Sequence, residues 1–112
     1  MTTYRSVKGM NDLFGAQAAG LIEVERVVRR LALAYGAQEV RTPILEHQEL
    51  FIRSVGEGTD IVGKEMYTFE DRGGRSLTLR PEGTASAARA YVQHQFARNN
   101  PVQKWWYFGP MY

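Results

Sequence analysis

The segment Leu79-Arg80-Pro81-Glu82-Gly83-Thr84 constrains the fold of this chain more than any other. Before it, Leu77 and Leu79 alternate with Ser76, Thr78 and Arg80, the two-residue period of a strand buried on one face. After it, Ala88, Tyr91, Val92 and Phe96 recur at helical spacing. This predicts a helix from about Thr84 to Ala97 with those four side chains facing inward. A strand must end and a helix begin within a few residues, and Pro81 and Gly83 set a rigid turn between them. The polar residues of that turn have two readings. In one, Thr84 is the N-cap and Glu82 is favoured by the positive end of the helix dipole. In the other, the Glu82 carboxylate and the Thr84 hydroxyl face the same small space and accept hydrogen bonds from an ammonium group. Charge-assisted bonds of that kind are the strong ones.

The flanking sequence makes the domain α+β. Leu21, Val24, Val28, Leu31 and Tyr35 form an apolar stripe that predicts a helix from about Ala16 to Tyr35. Asn11 or Asp12 would cap its start, and Gly36 stands where a left-handed C-terminal cap belongs. Glu39 to Thr42 reads as a short strand broken by Pro43, which cannot donate to a central ladder and so marks an edge, a bulge or a strand end. An interrupted strand of this kind is either a plain helix-to-strand connection or a surface that pairs with another chain. A short helix is expected over His47 to Ser54, and a glycine-containing loop over Val55 to Lys64. Glu65 to Glu70 and Ser76 to Arg80 read as a hairpin closed by Asp71-Arg72-Gly73-Gly74, whose paired glycines supply positive φ angles. Lys104 to Phe108 reads as a last, aromatic strand ended by Gly109-Pro110. The sheet so assembled lacks strands, and a truncated parent explains its open rim more simply than a complete domain does.

Composition excludes several classes. With 112 residues the chain is one small domain, and 44% hydrophobic with 23% charged residues argues against general disorder. A net charge of +2 permits a nucleic-acid partner without arguing for one. There is no cysteine, hence no disulfide framework, thiolate metal site or cysteine nucleophile. His47 and His94 show no ligand spacing with each other or with the carboxylates, so no metal site is expected. The Gly56-Glu57-Gly58-Thr59 loop lacks the Gly-Lys-Ser/Thr ending of a phosphate loop. The run Trp105-Trp106-Tyr107-Phe108 reads as core in preference to a base-stacking platform. No apolar run approaches the length of a membrane span and no signal-type stretch follows Met1, which leaves the cytoplasm as the default location.

In order along the chain, the strings resemble those of the histidyl-tRNA synthetases, class II aminoacyl-tRNA synthetases. Lys8-Gly9-Met10-Asn11-Asp12 is similar to the family's N-terminal signature, with Met10 where Thr is frequent. Tyr35-Gly36 through Pro43 resembles motif 1. Phe51-Ile52-Arg53-Ser54 with Gly56-Glu57 and Thr59 to Val62, then Lys64 to Tyr67, is similar to the segment that follows. Arg80-Pro81-Glu82-Gly83-Thr84 matches the loop that holds the amino group of histidine, and Trp106 to Tyr112 looks like the first strand of motif 2.

The resemblance implies a partial class II catalytic core, residues 1–112, with a mostly antiparallel sheet and packed helices, truncated after the first motif 2 strand and lacking the anticodon-binding domain. It implies that Glu82 and Thr84 hold the α-ammonium of histidine, that Gly83 allows close backbone approach, and that Pro43 lies at a homodimer interface. The family's reaction is ATP-dependent attachment of L-histidine to its cognate tRNA through a histidyl-adenylate, with ATP carrying Mg²⁺. The arginine that offsets charge on the α-phosphate would follow Tyr112, so no catalytic residue is expected within the chain and the isolated piece should be inactive. Two rivals remain. The regulatory-subunit paralogue of ATP phosphoribosyltransferase shares the fold but tends to depart from Arg-Pro-Glu-Gly-Thr, which is intact at 80–84 here. A non-catalytic dimerisation module would form a clean, stable dimer by itself.

Overall fold

The computed structural model describes residues 3–55 and 65–112. The loop expected over Val55 to Lys64 therefore lies outside the described residues, apart from Val55, which closes a helix. The chain divides into two compact units, Met1–Gly36 and Ala37–Tyr112.

The first unit is dominated by helix α1, Gly15–Ala34. Its start is not capped by Asn11 or Asp12. Phe14, in extended conformation, is the N-cap and makes no side-chain cap bond. Asn11 and Asp12 stand too far upstream for their short side chains to reach the first free N–H groups of the helix. The C-terminus follows expectation: Gly36 takes φ +75° and its N–H reaches the carbonyl of Leu33 at 3.0 Å. Of the predicted stripe, Leu21 and Val28 are half-buried, whereas Val24, Leu31 and Tyr35 are exposed.

The second unit carries two small sheets. Strand β1, Gln38–Glu39, lies parallel to β5, Trp105–Trp106, with Gln38 opposite Trp105 and Glu39 opposite Trp106. Flanking bonds from Gln38 N–H to Lys104 O (2.8 Å) and Val40 N–H to Trp106 O (3.0 Å) complete the pair. The other sheet is antiparallel, in the order β2 (Leu45–His47), β4 (Ser76–Leu79), β3 (Thr68–Glu70). Pro43 sits between β1 and β2, which belong to different sheets, as a residue without an N–H should. The β3–β4 turn is closed by Asp71, and Gly74 alone of the two turn glycines has positive φ, +79°.

Strand β4 reverses the expected burial. Thr78 is fully buried and Arg80, just beyond the strand, is 7% exposed, while Leu77 and Leu79 are only half-buried. The face of β4 that bears Thr78 and Arg80 is the more deeply buried one, and the polar groups it buries are hydrogen-bonded. The Thr78 hydroxyl donates to Tyr67 O at 3.0 Å. Helix α2, Gln48–Val55, brings Phe51 to zero exposure, and it packs against β4 and helix α3, Thr84–Gln93. The buried face of α3 is Ala85, Ser86 and Ala90, not the expected Ala88 and Val92, which are exposed. Small side chains at those positions let α3 approach its neighbours closely.

Helix α3 also ends sooner than its pattern suggests. Gln95 adopts φ +57° and a separate turn, α4 (Phe96–Asn99), follows. The break places the Phe96 ring 5.9 Å from Tyr91 and 5.1 Å, edge-on, from Trp105. Aromatic pairs of this geometry stabilise by roughly 0.5–1.5 kcal/mol each beyond area burial. A part-buried ion pair joins β2 to α3: Glu46, 8% exposed, accepts from the half-buried Arg89 at 2.8 Å. No helix among the described residues is long and apolar enough to cross a membrane.

Candidate functional site

The turn at 80–84 carries the polar groups singled out from the sequence. Strand β4 delivers Arg80, whose N–H bonds to Ile44 O at 2.9 Å and whose carbonyl accepts from Tyr112 N–H at 2.9 Å. The chain then turns through Pro81 and Glu82 into α3. Gly83, not Thr84, is the N-cap, and Thr84 is the first helical residue. The side chain of Glu82 takes over the capping function. One carboxylate oxygen accepts the N–H of Thr84 at 2.5 Å and the other accepts the N–H of Ala85 at 3.0 Å. Two of the orphan donors of a helix start are thereby satisfied by an anion lying at the positive end of the dipole.

This arrangement fixes the carboxylate without exhausting it. An ionised carboxylate offers about four lone-pair positions. The backbone occupies some of them, and the negative charge is left to be met by a cation. Thr84 is exposed, and its hydroxyl stands 3.0 Å from the hydroxyl of Tyr107, with either able to donate. Gly83 is buried beneath the same tyrosine. A Cβ built there would come within 2.8 Å of Tyr107 Cδ2 and nearer still to Cε2. Glycine is demanded by the ring, since φ at this position is an ordinary −107°.

Arg80, named in the sequence only as part of the loop string, proves to be a junction. Its Nε donates to Pro110 O at 3.0 Å and its Nη1 to the carbonyl and hydroxyl of Thr42 at 3.1 and 3.3 Å. The guanidinium therefore ties the 80–84 turn to the residue before Pro43 and to the segment ending at Tyr112. Pro43 is exposed. Neither Arg80 nor Tyr107 stood out by local pattern as part of a site. Their partners lie 38 and 23 residues away, and the tyrosine is hidden within an aromatic run that reads as core.

Two cavities in this unit lie away from the turn. One, of about 670 Å³, has Pro43, His47, Glu46, Arg89, His94 and Trp105 in its wall, and a second, of about 480 Å³, lies between α2 and α3. Glu82 and Thr84 line neither. Among the described residues no three His, Asp or Glu side chains gather as a metal site would require.

Comparison with known proteins gives a consistent result. A family model described as histidyl-tRNA synthetase matches residues 9–112. The histidine–tRNA ligase of Prochlorococcus marinus strain NATL1A is 54% identical over 112 residues, covering 100% of this chain and 26% of that protein. The crystal structure of apo Staphylococcus aureus histidyl-tRNA synthetase superposes with a TM-score of 0.83 at 38% identity, covering 98% of this chain and 26% of the other. A Bacillus halodurans protein named as an ATP phosphoribosyltransferase regulatory subunit/histidyl-tRNA synthetase has a TM-score of 0.81 at 22% identity, covering 100% of this chain and 28% of the other. That last likeness concerns the fold alone. The chain spans about a quarter of the length of the relatives it matches.

Proposed function

This chain belongs to the histidyl-tRNA synthetase family, and from that premise we propose that it forms the part of a histidine–tRNA ligase that grips the amino acid by its ammonium group. The observation carrying the proposal is the start of α3, where the Glu82 carboxylate is held by the backbone N–H groups of Ala85 and of the exposed Thr84. An ammonium has three donors and a full positive charge, and a pre-positioned carboxylate plus a hydroxyl matches both properties. Gly83, with no side chain, admits the Tyr107 ring next to the loop.

In the proposed reaction the histidine carboxylate attacks the α-phosphate of ATP, which enters with Mg²⁺. Pyrophosphate leaves and histidyl-adenylate forms. A ribose hydroxyl of tRNA(His) then attacks the acyl carbon and releases AMP. Glu82 and Thr84 take no proton in either step. They fix the amino end so that the carboxylate points in one direction, converting binding into orientation. Charge stabilisation at the α-phosphate needs a positive group already in place when the charge develops. The exposed Pro43 belongs to the homodimer contact, and the enzyme works in the cytoplasm with the tRNA pool. The 54% identity to a ligase, with Arg80 to Thr84 intact, favours this reading over a regulatory subunit.

Glu82→Gln in the full-length ligase tests the proposal, because the amide oxygen can still accept a helix N–H while the charge is gone. Loss of a charge-assisted bond worth roughly 1.5–3 kcal/mol raises the KM for histidine by about 10- to 150-fold, with the KM for ATP nearly unchanged. An unaltered histidine KM in steady-state ATP–pyrophosphate exchange would sink it.

A further inference from the structure

The Thr84 hydroxyl lies on the exposed side of the first turn of α3, where water would ordinarily leave it free to rotate. Threonine in a helix divides between two rotamers, so a hydroxyl meant to meet a ligand in one direction needs a second contact to hold it. That contact is the Tyr107 hydroxyl at 3.0 Å. Tyr107 directly follows β5, whose pairing with β1 fixes the backbone immediately before it. Its ring lies against Gly83, close enough to exclude a methyl group there. One side chain thus touches two consecutive residues of the ammonium loop, one through its hydroxyl and the other through its ring.

We propose that Tyr107 is a positioning residue of the amino-acid site, locking the Thr84 hydroxyl in one orientation and setting the requirement for glycine at position 83. The inference rests on the reading of Glu82 and Thr84 given above. Whichever hydroxyl donates, Thr84 keeps at least one lone pair for the ammonium. Tyr107 therefore acts on the ligand through Thr84.

The test uses the full-length ligase with Tyr107→Phe, which keeps the ring on Gly83 and removes only the hydroxyl, together with Thr84→Val, Glu82→Gln and the Tyr107→Phe/Thr84→Val pair. Binding is measured for L-histidine and for 3-(imidazol-4-yl)propanoate, the analogue lacking the amino group. Loss of one neutral hydrogen bond predicts a roughly 3- to 10-fold rise in the histidine Kd for Tyr107→Phe, with analogue binding unchanged. The double variant should be no worse than Thr84→Val alone, because the two groups act as one unit. Gly83→Ala, which displaces the ring with both hydroxyls in place, should weaken histidine binding at least as much. The inference is overturned if Tyr107→Phe leaves the histidine Kd unchanged, weakens the analogue equally, or adds in full to Thr84→Val. If Glu82→Gln and Thr84→Val themselves leave histidine binding unaltered, the ammonium site fails and this inference with it. If they weaken it and Tyr107→Phe does not, only the role of Tyr107 fails.

Discussion

Arg80 is 7% exposed and carries a full charge, yet the partners of its side chain are the neutral oxygens of Thr42 and Pro110. Its planar fork suits that task, since Nε and Nη1 can donate in different directions at once. Gly109 makes room for it: a Cβ there would fall 2.6 Å from Nη2. Arg80→Met should therefore cost about 3 kcal/mol, the loss of its charge-assisted bonds to the carbonyls of Thr42 and Pro110. Arg80→Lys should cost less, about 1–2 kcal/mol, because one ammonium keeps the charge but cannot reach both carbonyls. Both are read as a lowered denaturant midpoint at constant slope in the full-length protein. Equal midpoints for Arg80→Met and the native protein would show that the junction contributes nothing. At this scale the sequence was half legible. The residue types of the 80–84 turn announced a cap or a cation site, and Glu82 proves to cap while its charge stays unneutralised by the backbone bonds it accepts. The capping position was misplaced, because a carboxylate two residues before the first free N–H reaches as well as a hydroxyl at the N-cap does.

Among the elements, the β3–β4 hairpin depends on one side chain in a way that pH should expose. Asp71 accepts the N–H groups of Gly73 and Arg75 at 2.9 Å each and the Arg75 guanidinium at 2.8 Å. The backbone bond from Arg75 is the main reason its carboxyl titrates below the ordinary aspartate range. With the folded pKa depressed, the unfolded chain binds more protons in the acid range. The contribution is then complete above the unfolded pKa of about 3.9 and is lost as pH falls through the lower folded value. Asp71→Asn should accordingly be less stable than the native protein at neutral pH, and the gap should narrow below about pH 4. Unfolding midpoints of the two proteins at several pH values check this, and a gap constant down to pH 2 would refute it. Hairpin, helices and aromatic strand were legible because period and turn chemistry are local. The end of α3 was not, since no glycine or proline marks Gln95 and the ring contact that accompanies the break, Phe96 with Trp105, is not local. The burial of β4 was not either, because alternation identifies a strand but cannot tell which of its faces will lie deeper.

For the whole molecule, the proposed function raises the question of what these 112 residues can do alone. Among the described residues the buried apolar side chains are Phe51, Ala85 and Ala90, while Ile22, Leu33, Val92 and Val102 are each more than 60% exposed. That is a small core for the described residues. Adenylation needs positive charge, already in place, where the α-phosphate gains negative charge. Arg80 and Arg89, on either side of Glu82 in sequence, are engaged elsewhere, Arg80 with Thr42 and Pro110, Arg89 with Glu46 and Gln93. Moving either toward a phosphate would break the junction or leave Glu46, 8% exposed, as an unpaired buried charge, a cost of roughly 3–5 kcal/mol. The purified 112-residue polypeptide is therefore expected to show no histidine-dependent ATP–pyrophosphate exchange above background, at any histidine concentration that saturates the full-length ligase. Exchange that requires histidine and scales with the amount of the 112-residue chain would mean that one of these arginines, or a second copy of the chain, supplies the missing charge.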